Sequence, residues 1–203
     1  MESSAGPEPQ EEVKLGPVEI LGGANVLKVD DPNEMAKLAE WVGGKRIRLQ
    51  KEYRMTEDGF KRAVWKDKCG GKGPLLHVIE SEWGKRCGGY SDVKWPLDDE
   101  NKYHADPKAF LFSLSHLTKH PVKQEKSDIA LQSNPDLTSG FGGGQGELHI
   151  FHEARANDNN SHLGTIFEPP KGMEVGEESE KYLAGSNYFS LKEFEVYSVT
   201  VLE

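Results

Sequence analysis

Two glutamates in this chain of 203 residues are candidates for acid–base chemistry. Glu168 precedes Pro169-Pro170, and Glu195 lies in the strand-like segment Phe194-Glu195-Val196-Tyr197 close to the C-terminus. A pair of carboxylates can act as general acid and general base when the fold brings the two side chains together. The sequence leaves their distance open, and we expect the commoner role, in which both glutamates lie at the surface and contact another protein.

A metal site is the second kind of chemistry to consider. His149, His152 and Glu153 offer imidazole and carboxylate ligands of the kind that bind zinc. On a strand, however, positions 149 and 152 point to opposite faces, so the two imidazoles cannot share one ion without a bulge. The stretch from Ala154 to Ser161 offers side-chain oxygens for calcium, but it lacks the acidic spacing of an EF-hand loop. We therefore expect a solvated loop and no metal ion.

Thiol chemistry depends on the two cysteines, Cys69 and Cys87, which are too few for a disulfide framework and have no CxxC spacing. Cys69 ends a predicted helix, and the negative end of a helix dipole raises a thiol pKa, although Lys68 opposes that effect. The chain also lacks the GxSxG and SxxK patterns of serine nucleophiles. We expect free thiols and no enzymatic activity, with sacrificial oxidation of the cysteines as an alternative.

The glycine-rich block from Ser139 to Gly146 has the composition of a phosphate-binding loop, because glycines let backbone amides approach an anion closely. Such a loop lies between a strand and the start of a helix. Here the segment Glu147-Leu148-His149-Ile150-Phe151 follows, and it predicts a strand. We therefore interpret the block, like the pair Gly88-Gly89, as a bend or bulge where backbones come close.

Composition and charge narrow the class of protein. The length suits one domain, and the net charge of -9 without a basic stripe excludes nucleic acid as an expected ligand. Neither a signal peptide nor a run of about 18 apolar residues occurs, so we expect a cytoplasmic protein that does not insert into membranes. Residues 1–16 are acidic and poor in apolar residues, which predicts a flexible tail before a domain at 17–203.

Two helices and a series of short strands should build this domain. Asp31 can cap a helix that starts at Pro32 and ends at Gly43-Gly44, with Glu34 completing a capping box. A second helix is predicted from Asp58 to Cys69. The fold class is mostly β with short helices (α+β), a two-sheet antiparallel β-sandwich flanked by helices. The predicted strands are 47–53, 75–80, 85–90, 109–114, 129–132, 147–152, 165–167 and 194–201.

Within these elements the sequence also indicates which residues are buried. Phe110, Leu111 and Phe112 lie in an apolar run that predicts a strand buried on both faces. The alternation in Phe194 to Tyr197 instead predicts a strand with one exposed face.

Several segments, taken in order, resemble the TLDc domain of oxidation-resistance proteins and of relatives of nuclear-receptor coactivators. The resemblance extends over about 20–199, and no room is left for a further domain. The segments that carry it are 53–60, 68–74, 88–90 with Trp95, 108–114, Phe141-Gly142-Gly143-Gly144, Leu163-Gly164, Phe167-Glu168-Pro169-Pro170, 182–186 and 194–197.

The resemblance implies a β-sandwich and a non-enzymatic role. Members of the family protect cells against oxidative damage, and several bind the vacuolar proton-pumping ATPase, so the implied partners are cytosolic subunits of that pump. A second hypothesis is a structural subunit of a cytoskeletal assembly, such as a microtubule complex of the ciliary axoneme. The third is a direct antioxidant or enzyme that uses Glu168 and Glu195, or Cys69 and Cys87.

The chain departs from the family pattern at two places. Cys87 replaces the usual aromatic before Gly-Gly-Tyr, and Glu153-Ala154-Arg155-Ala156-Asn157 replaces an Asp-Asn-Ala-Asn-like stretch. The second departure lies in a predicted surface loop, where binding specificity often resides. We therefore predict an interaction surface around this loop and the two glutamates. Its candidate residues are Glu153, Arg155, Asn157, Asp158, Asn159, Glu168 and Glu195, and no catalytic, cofactor-binding or metal-binding residues are predicted.

Overall fold

The computed structural model describes residues 16–96, 100–152 and 158–202. The predicted tail at 1–16 lies outside them except for Gly16. The helices are α1 (Pro32–Val42), α2 (Met55–Asp58), α3 (Arg62–Cys69), a 3₁₀ helix (Gln124–Ile129) and α4 (Glu177–Lys181). The strands are β1 (Val18–Leu21), β2 (Ile47–Arg54), β3 (Leu75–Ser81), β4 (Arg86–Ser91), β5 (Lys102–His104), β6 (Phe110–Ser113), β7 (Thr118–Pro121), β8 (Leu131–Ser133), β9 (Leu137–Phe141), β10 (Leu148–Phe151), β11 (Asn159–Asn160), β12 (Tyr188–Phe189) and β13 (Leu191–Val201).

The described strands form two sheets. The first sheet has the order β1-β2-β13-β3-β4-β6-β7, and the second has the order β12-β11-β10-β9-β8-β5. Apart from the parallel pair β1 and β2, the recorded strand pairs are antiparallel. The predicted two-sheet antiparallel sandwich with short helices is therefore confirmed.

Apolar side chains fill both faces of the first sheet. One core contains Ile79, Phe141 and Phe194 and lies between the two sheets. The other contains Leu38, Phe112 and Tyr197 and lies between the first sheet and α1. The first sheet is thus a middle layer, and this explains why the run at Phe110 to Phe112 is buried on both faces, as predicted. None of the helices in the described ranges is long and apolar enough to cross a membrane.

Helix α1 begins and ends where the sequence predicts. The Asp31 side chain accepts hydrogen bonds from the backbone N–H of Asn33 and of Glu34, and Gly43 closes the helix with a φ of 94°. The expected capping box at Glu34 is wrong. Its carboxylate instead accepts a 2.8 Å bond from the N–H of Lys28 and a 2.7 Å bond from Nη2 of Arg86, so it ties the helix to the sheet.

The predicted helix from Asp58 to Cys69 is wrong as a single element. Gly59 adopts a φ of 82° and ends α2, and a new helix starts at Arg62. Trp65 and Cys69 provide its buried face, whereas Ala63 is exposed.

Three strand predictions also need correction. Residues 165–167 form only an isolated bridge from Phe167 to Val122, because backbone N–H groups there bind a side chain instead of a strand. Ile129 ends the 3₁₀ helix, so β8 starts two residues later. The segment from Phe194 to Tyr197 is wholly buried, since both faces of its sheet are covered.

The glycine pair Gly88-Gly89 lies at a close approach of backbones, as predicted, but the predicted bend or bulge is wrong, because β4 pairs with β3 and β6 without a register shift. A Cβ atom at Gly88 would lie 1.9 Å from the carbonyl oxygen of His77 on β3, and one at Gly89 would lie 2.6 Å from the Phe141 ring. Only glycine therefore allows β4 to pair with β3 while the second sheet packs on top of it.

Candidate functional site

The predicted interaction surface is only partly described by the structure. Glu153, Arg155 and Asn157 lie outside the described residues, and Asp158 is exposed. The prediction that Asn159 lies on the surface is wrong, because this side chain is fully buried. Its Oδ1 accepts a 3.0 Å bond from the Phe151 N–H and its Nδ2 donates a 3.0 Å bond to the Phe189 carbonyl, so it connects strands β10 and β12.

Glu195 is also not a surface residue, and its predicted contact with a partner is wrong. The carboxylate is fully buried and accepts hydrogen bonds from Arg54 Nε at 2.7 Å, from the Asn25 N–H at 2.9 Å and from the Tyr197 hydroxyl at 2.9 Å. A buried carboxylate needs such partners to replace its hydration. Glu195 therefore fastens the segment before α1 onto β13.

Glu168 is exposed, and it does not pair with Glu195. Its backbone follows the edge strand β7, since the Glu168 N–H donates a 2.9 Å bond to the Pro121 carbonyl. Strands β6, β4 and β3 separate β7 from β13, which amounts to roughly 19 Å at the usual strand spacing. Carboxylates that cooperate in acid–base catalysis lie within about 9.5 Å of each other. The hypothesis of a carboxylate pair is thus excluded by the topology.

Both cysteines are buried inside the sandwich core. Cys69 ends α3 and Cys87 lies on β4, and neither side chain has exposed surface. Burial raises the pKa of both thiols well above the usual range. The predicted rise for Cys69 is confirmed, but desolvation is its main cause instead of the helix dipole. Oxidants therefore do not reach either sulfur in the folded chain.

The glycine-rich block forms the turn between β9 and β10, in agreement with the sequence-based interpretation of a strand end. Gly142, Gly144 and Gly146 all adopt positive φ angles of 73° to 80°. A groove of about 220 Å³ lies beside this turn, with His162 and Glu180 on its other side. Ligand pockets usually start at roughly 300 Å³, so the groove is small for a cofactor.

The sequence analysis missed the role of Glu147, which directly follows this turn. Its carboxylate is 2% exposed and accepts bonds from the backbone N–H groups of Gly164 at 3.2 Å, Ile166, and Phe167 at 2.9 Å. Burial raises the pKa of this carboxyl, and the backbone donors oppose the rise. Because these backbone N–H groups bind the Glu147 side chain, they do not pair with a neighbouring strand. Glu147 thus fixes the loop at 164–167 in a conformation that is not a strand. The sequence signal for this role was a single acidic residue directly before the apolar strand β10.

His149 points to the same turn. Its Nε2 donates a 2.8 Å bond to the Gly142 carbonyl, and burial lowers the imidazole pKa to about 4. Within the described ranges, no group of three or more His, Cys, Asp or Glu side chains has the geometry to hold a metal ion. His149 is a neutral structural histidine.

A surface that the sequence analysis did not identify surrounds Trp83. This side chain is 61% exposed at the tip of the hairpin between β3 and β4. The hairpin is held firmly, because the Ser81 N–H bonds to the Lys85 carbonyl at 2.9 Å and the Glu82 N–H bonds to the Ser190 carbonyl at 2.9 Å. The signal was the sequence Glu82-Trp83-Gly84, which places a large aromatic residue in a turn.

The chain segment that runs from α4 through Gly185 to Ser190 lies next to this hairpin. A Cβ atom at Gly185 would lie 3.1 Å from Cβ of Trp83, and the Gly185 N–H bonds to the Lys181 carbonyl at the end of α4. Tyr188, three residues further along, is 63% exposed, and Asn187 donates a 2.7 Å bond to Glu180. We call this region the Trp83 surface. It consists of Trp83, Tyr188, Glu82 and α4.

The chain matches no curated protein sequence. The family model described as the TLDc domain matches residues 25–200, which include the described helices and strands from α1 to most of β13 but not β1. The resemblance noted in the sequence is therefore confirmed over nearly the whole chain, and the chain belongs to the TLDc domain family.

Proposed function

We propose that this chain is a non-enzymatic protein-binding module that regulates the vacuolar proton-pumping ATPase and thereby contributes to protection against oxidative stress. The observation that carries the proposal is the TLDc match over residues 25–200. The proposed place of action is the cytoplasmic side of the pump, and the proposed partners are its cytosolic subunits.

The placement of the reactive side chains supports binding over chemistry. Glu195 lies on β13 in the interior of the first sheet and is hydrogen-bonded to Arg54, whereas Glu168 lies beside the edge strand β7. Cys69 and Cys87 are buried, so a direct antioxidant role would require unfolding. A domain that lacks accessible reactive side chains at these positions would act by binding a partner protein through its surface.

Affinity purification of the tagged full chain, followed by mass spectrometry, tests the proposal. The expected result is recovery of cytosolic pump subunits above the level seen with the tag alone. Recovery of no pump subunit would contradict the proposal. Stoichiometric recovery of microtubule proteins in their place would favour the second hypothesis, a structural subunit of a ciliary assembly.

A further inference from the structure

We propose that the Trp83 surface is a docking site for a positively charged segment of a partner protein, one that carries Arg or Lys together with apolar side chains. The inference rests on the proposed role as a binding module and names the surface that would perform it. Within the described part of the chain, Trp83 and Tyr188 are the two most exposed of the large hydrophobic side chains.

The fixed position of Trp83 is the first argument. A rigid, exposed tryptophan loses little conformational entropy on binding and is a frequent hot spot of protein interfaces. The hairpin around it is fastened on both sides: the Ser81 hydroxyl donates a 2.8 Å bond to the Ala184 carbonyl, and the Ser190 N–H donates a 3.2 Å bond to Oε1 of Glu82. The indole is therefore presented on a preorganised support.

Charge is the second argument and identifies the partner's chemistry. The hairpin at 82–85 and α4 carry four glutamates against two lysines, Lys85, which lies beside the indole across Gly185, and Lys181, which is paired with Glu177. Glu177 keeps 79% of its side chain exposed, and Glu82 and Glu178 are exposed as well. An indole face beside carboxylates favours guanidinium and ammonium groups, because the ring quadrupole and the carboxylates both attract a cation. The net charge of -9 on the whole chain attracts the same partner from a distance.

The positions of the tryptophans allow peptide binding at Trp83 to be measured directly by fluorescence. Of the four tryptophans, Trp41, Trp65 and Trp95 are buried to 93% or more, so acrylamide quenching of fluorescence reports on Trp83. The probe is a helical peptide with Arg on one face and Leu on the other, and the control peptide has Glu in place of Arg. Addition of the Arg peptide should protect the fluorescence from quenching, and added salt should reduce that protection. The Glu peptide should have no effect.

Variants locate the binding site. Labelling the Arg peptide and measuring its fluorescence anisotropy should show at least tenfold weaker binding to Trp83→Ala, and a severalfold loss for the double variant Glu82→Gln and Glu178→Gln. Tyr103→Ala and Glu125→Gln are matched controls, since both residues are exposed and lie outside the Trp83 surface. They should bind as the unmodified chain does. Equal affinity of Trp83→Ala and the unmodified chain, or equal binding of both peptides, would overturn the inference.

The two proposals fail in different ways. If pump subunits co-purify equally with Trp83→Ala and with the unmodified chain, the docking surface is wrong while the proposed function stands. If no pump subunit is recovered but the Arg peptide still binds through Trp83, the docking surface stands and the proposed function is wrong.

Discussion

Arg54 and Glu195 form an ion pair in the interior of the domain, with 2.7 Å between Nε and Oε1. The same carboxylate accepts the backbone N–H groups of Asn25 and Val26, which precede it by 170 and 169 residues. The ion pair therefore links the segment before α1 to strands β2 and β13 of the first sheet. Arg54, the last residue of β2, also donates a hydrogen bond from Nη1 to Oε1 of Glu57 in α2.

Removing this buried charge should destabilise the whole domain. We expect Glu195→Gln to lower the free energy of unfolding by about 3 kcal/mol, because Arg54 loses its buried counter-ion. Urea unfolding followed by circular dichroism measures the effect. Glu57→Gln serves as control, because Glu57 is a half-exposed partner of the same arginine and its removal should change stability much less. Equal effects of the two substitutions would contradict a special role for the buried carboxylate.

Glu147 should control the order of the loop at 164–167. Replacement by Gln removes the charge and replaces one acceptor oxygen with an amide group, so the one or two backbone N–H groups bound to that oxygen lose their partner, and the remaining bonds weaken. We expect faster hydrogen exchange of the Ile166 and Phe167 amides and a loss of about 2 kcal/mol in stability. Hydrogen exchange measured by NMR on this variant, with Glu125→Gln as a surface control, tests the prediction. Unchanged exchange rates at both amides would be inconsistent with the proposed role.

Three buried histidines should make stability fall on acidification. The pKa of His77 is lowered from 6.5 to about 3, and the pKa values of His120 and His149 are lowered to about 4, mainly by burial. Between these values the unfolded chain binds more protons than the folded chain, so stability is full above about pH 6.5 and decreases towards about pH 4. We expect a loss of about 1.4 kcal/mol per unit of pKa shift for each histidine.

The variant His149→Gln tests this dependence, since the Gln amide can still donate to the Gly142 carbonyl. It should flatten the decrease in unfolding free energy across that pH range, measured by urea titration at several pH values. An unchanged slope would exclude His149 as a source of the acid sensitivity.

The cysteines should react only after unfolding. Because both thiols are buried and their pKa values are raised, we expect a disulfide reagent such as 5,5′-dithiobis(2-nitrobenzoate) to label neither Cys69 nor Cys87 in the folded chain. Labelling should accelerate in parallel with the unfolded fraction as urea is added. Rapid labelling of either cysteine without denaturant would restore the thiol-based antioxidant hypothesis.

The long apolar strands and α1 were predictable because their patterns are local. Helix α1 has its cap at Asp31 and its stop at Gly43, and β6 lies in the continuous apolar run from Ala109 to Phe112. The short strands β5, β11 and β12 were not predictable, because two or three residues carry no period and pair only where the sandwich places them. The break between α2 and α3 was also not predictable, because it depends on the positive φ angle of the single residue Gly59.

The candidate site was harder to predict than the fold. The charge of Glu195 and the alternating pattern around it suggested an exposed contact residue. Both faces of the first sheet are buried, however, because α1 and the segment before it cover the face that is turned away from the second sheet. Trp83 was overlooked because a tryptophan in the sequence favours a core assignment. Its exposure follows from the hairpin turn, whose position depends on bonds to residues about a hundred positions away.

Strand β13 follows all the other described strands in the sequence, yet it lies between β2 and β3 in the interior of the first sheet. During synthesis, those two strands leave the ribosome long before the strand that separates them. The first sheet cannot close until β13 has emerged, since its position between them stays vacant until then. We therefore expect the nascent chain to hold its apolar segments uncovered until that point, which makes this domain a natural client of ribosome-associated chaperones.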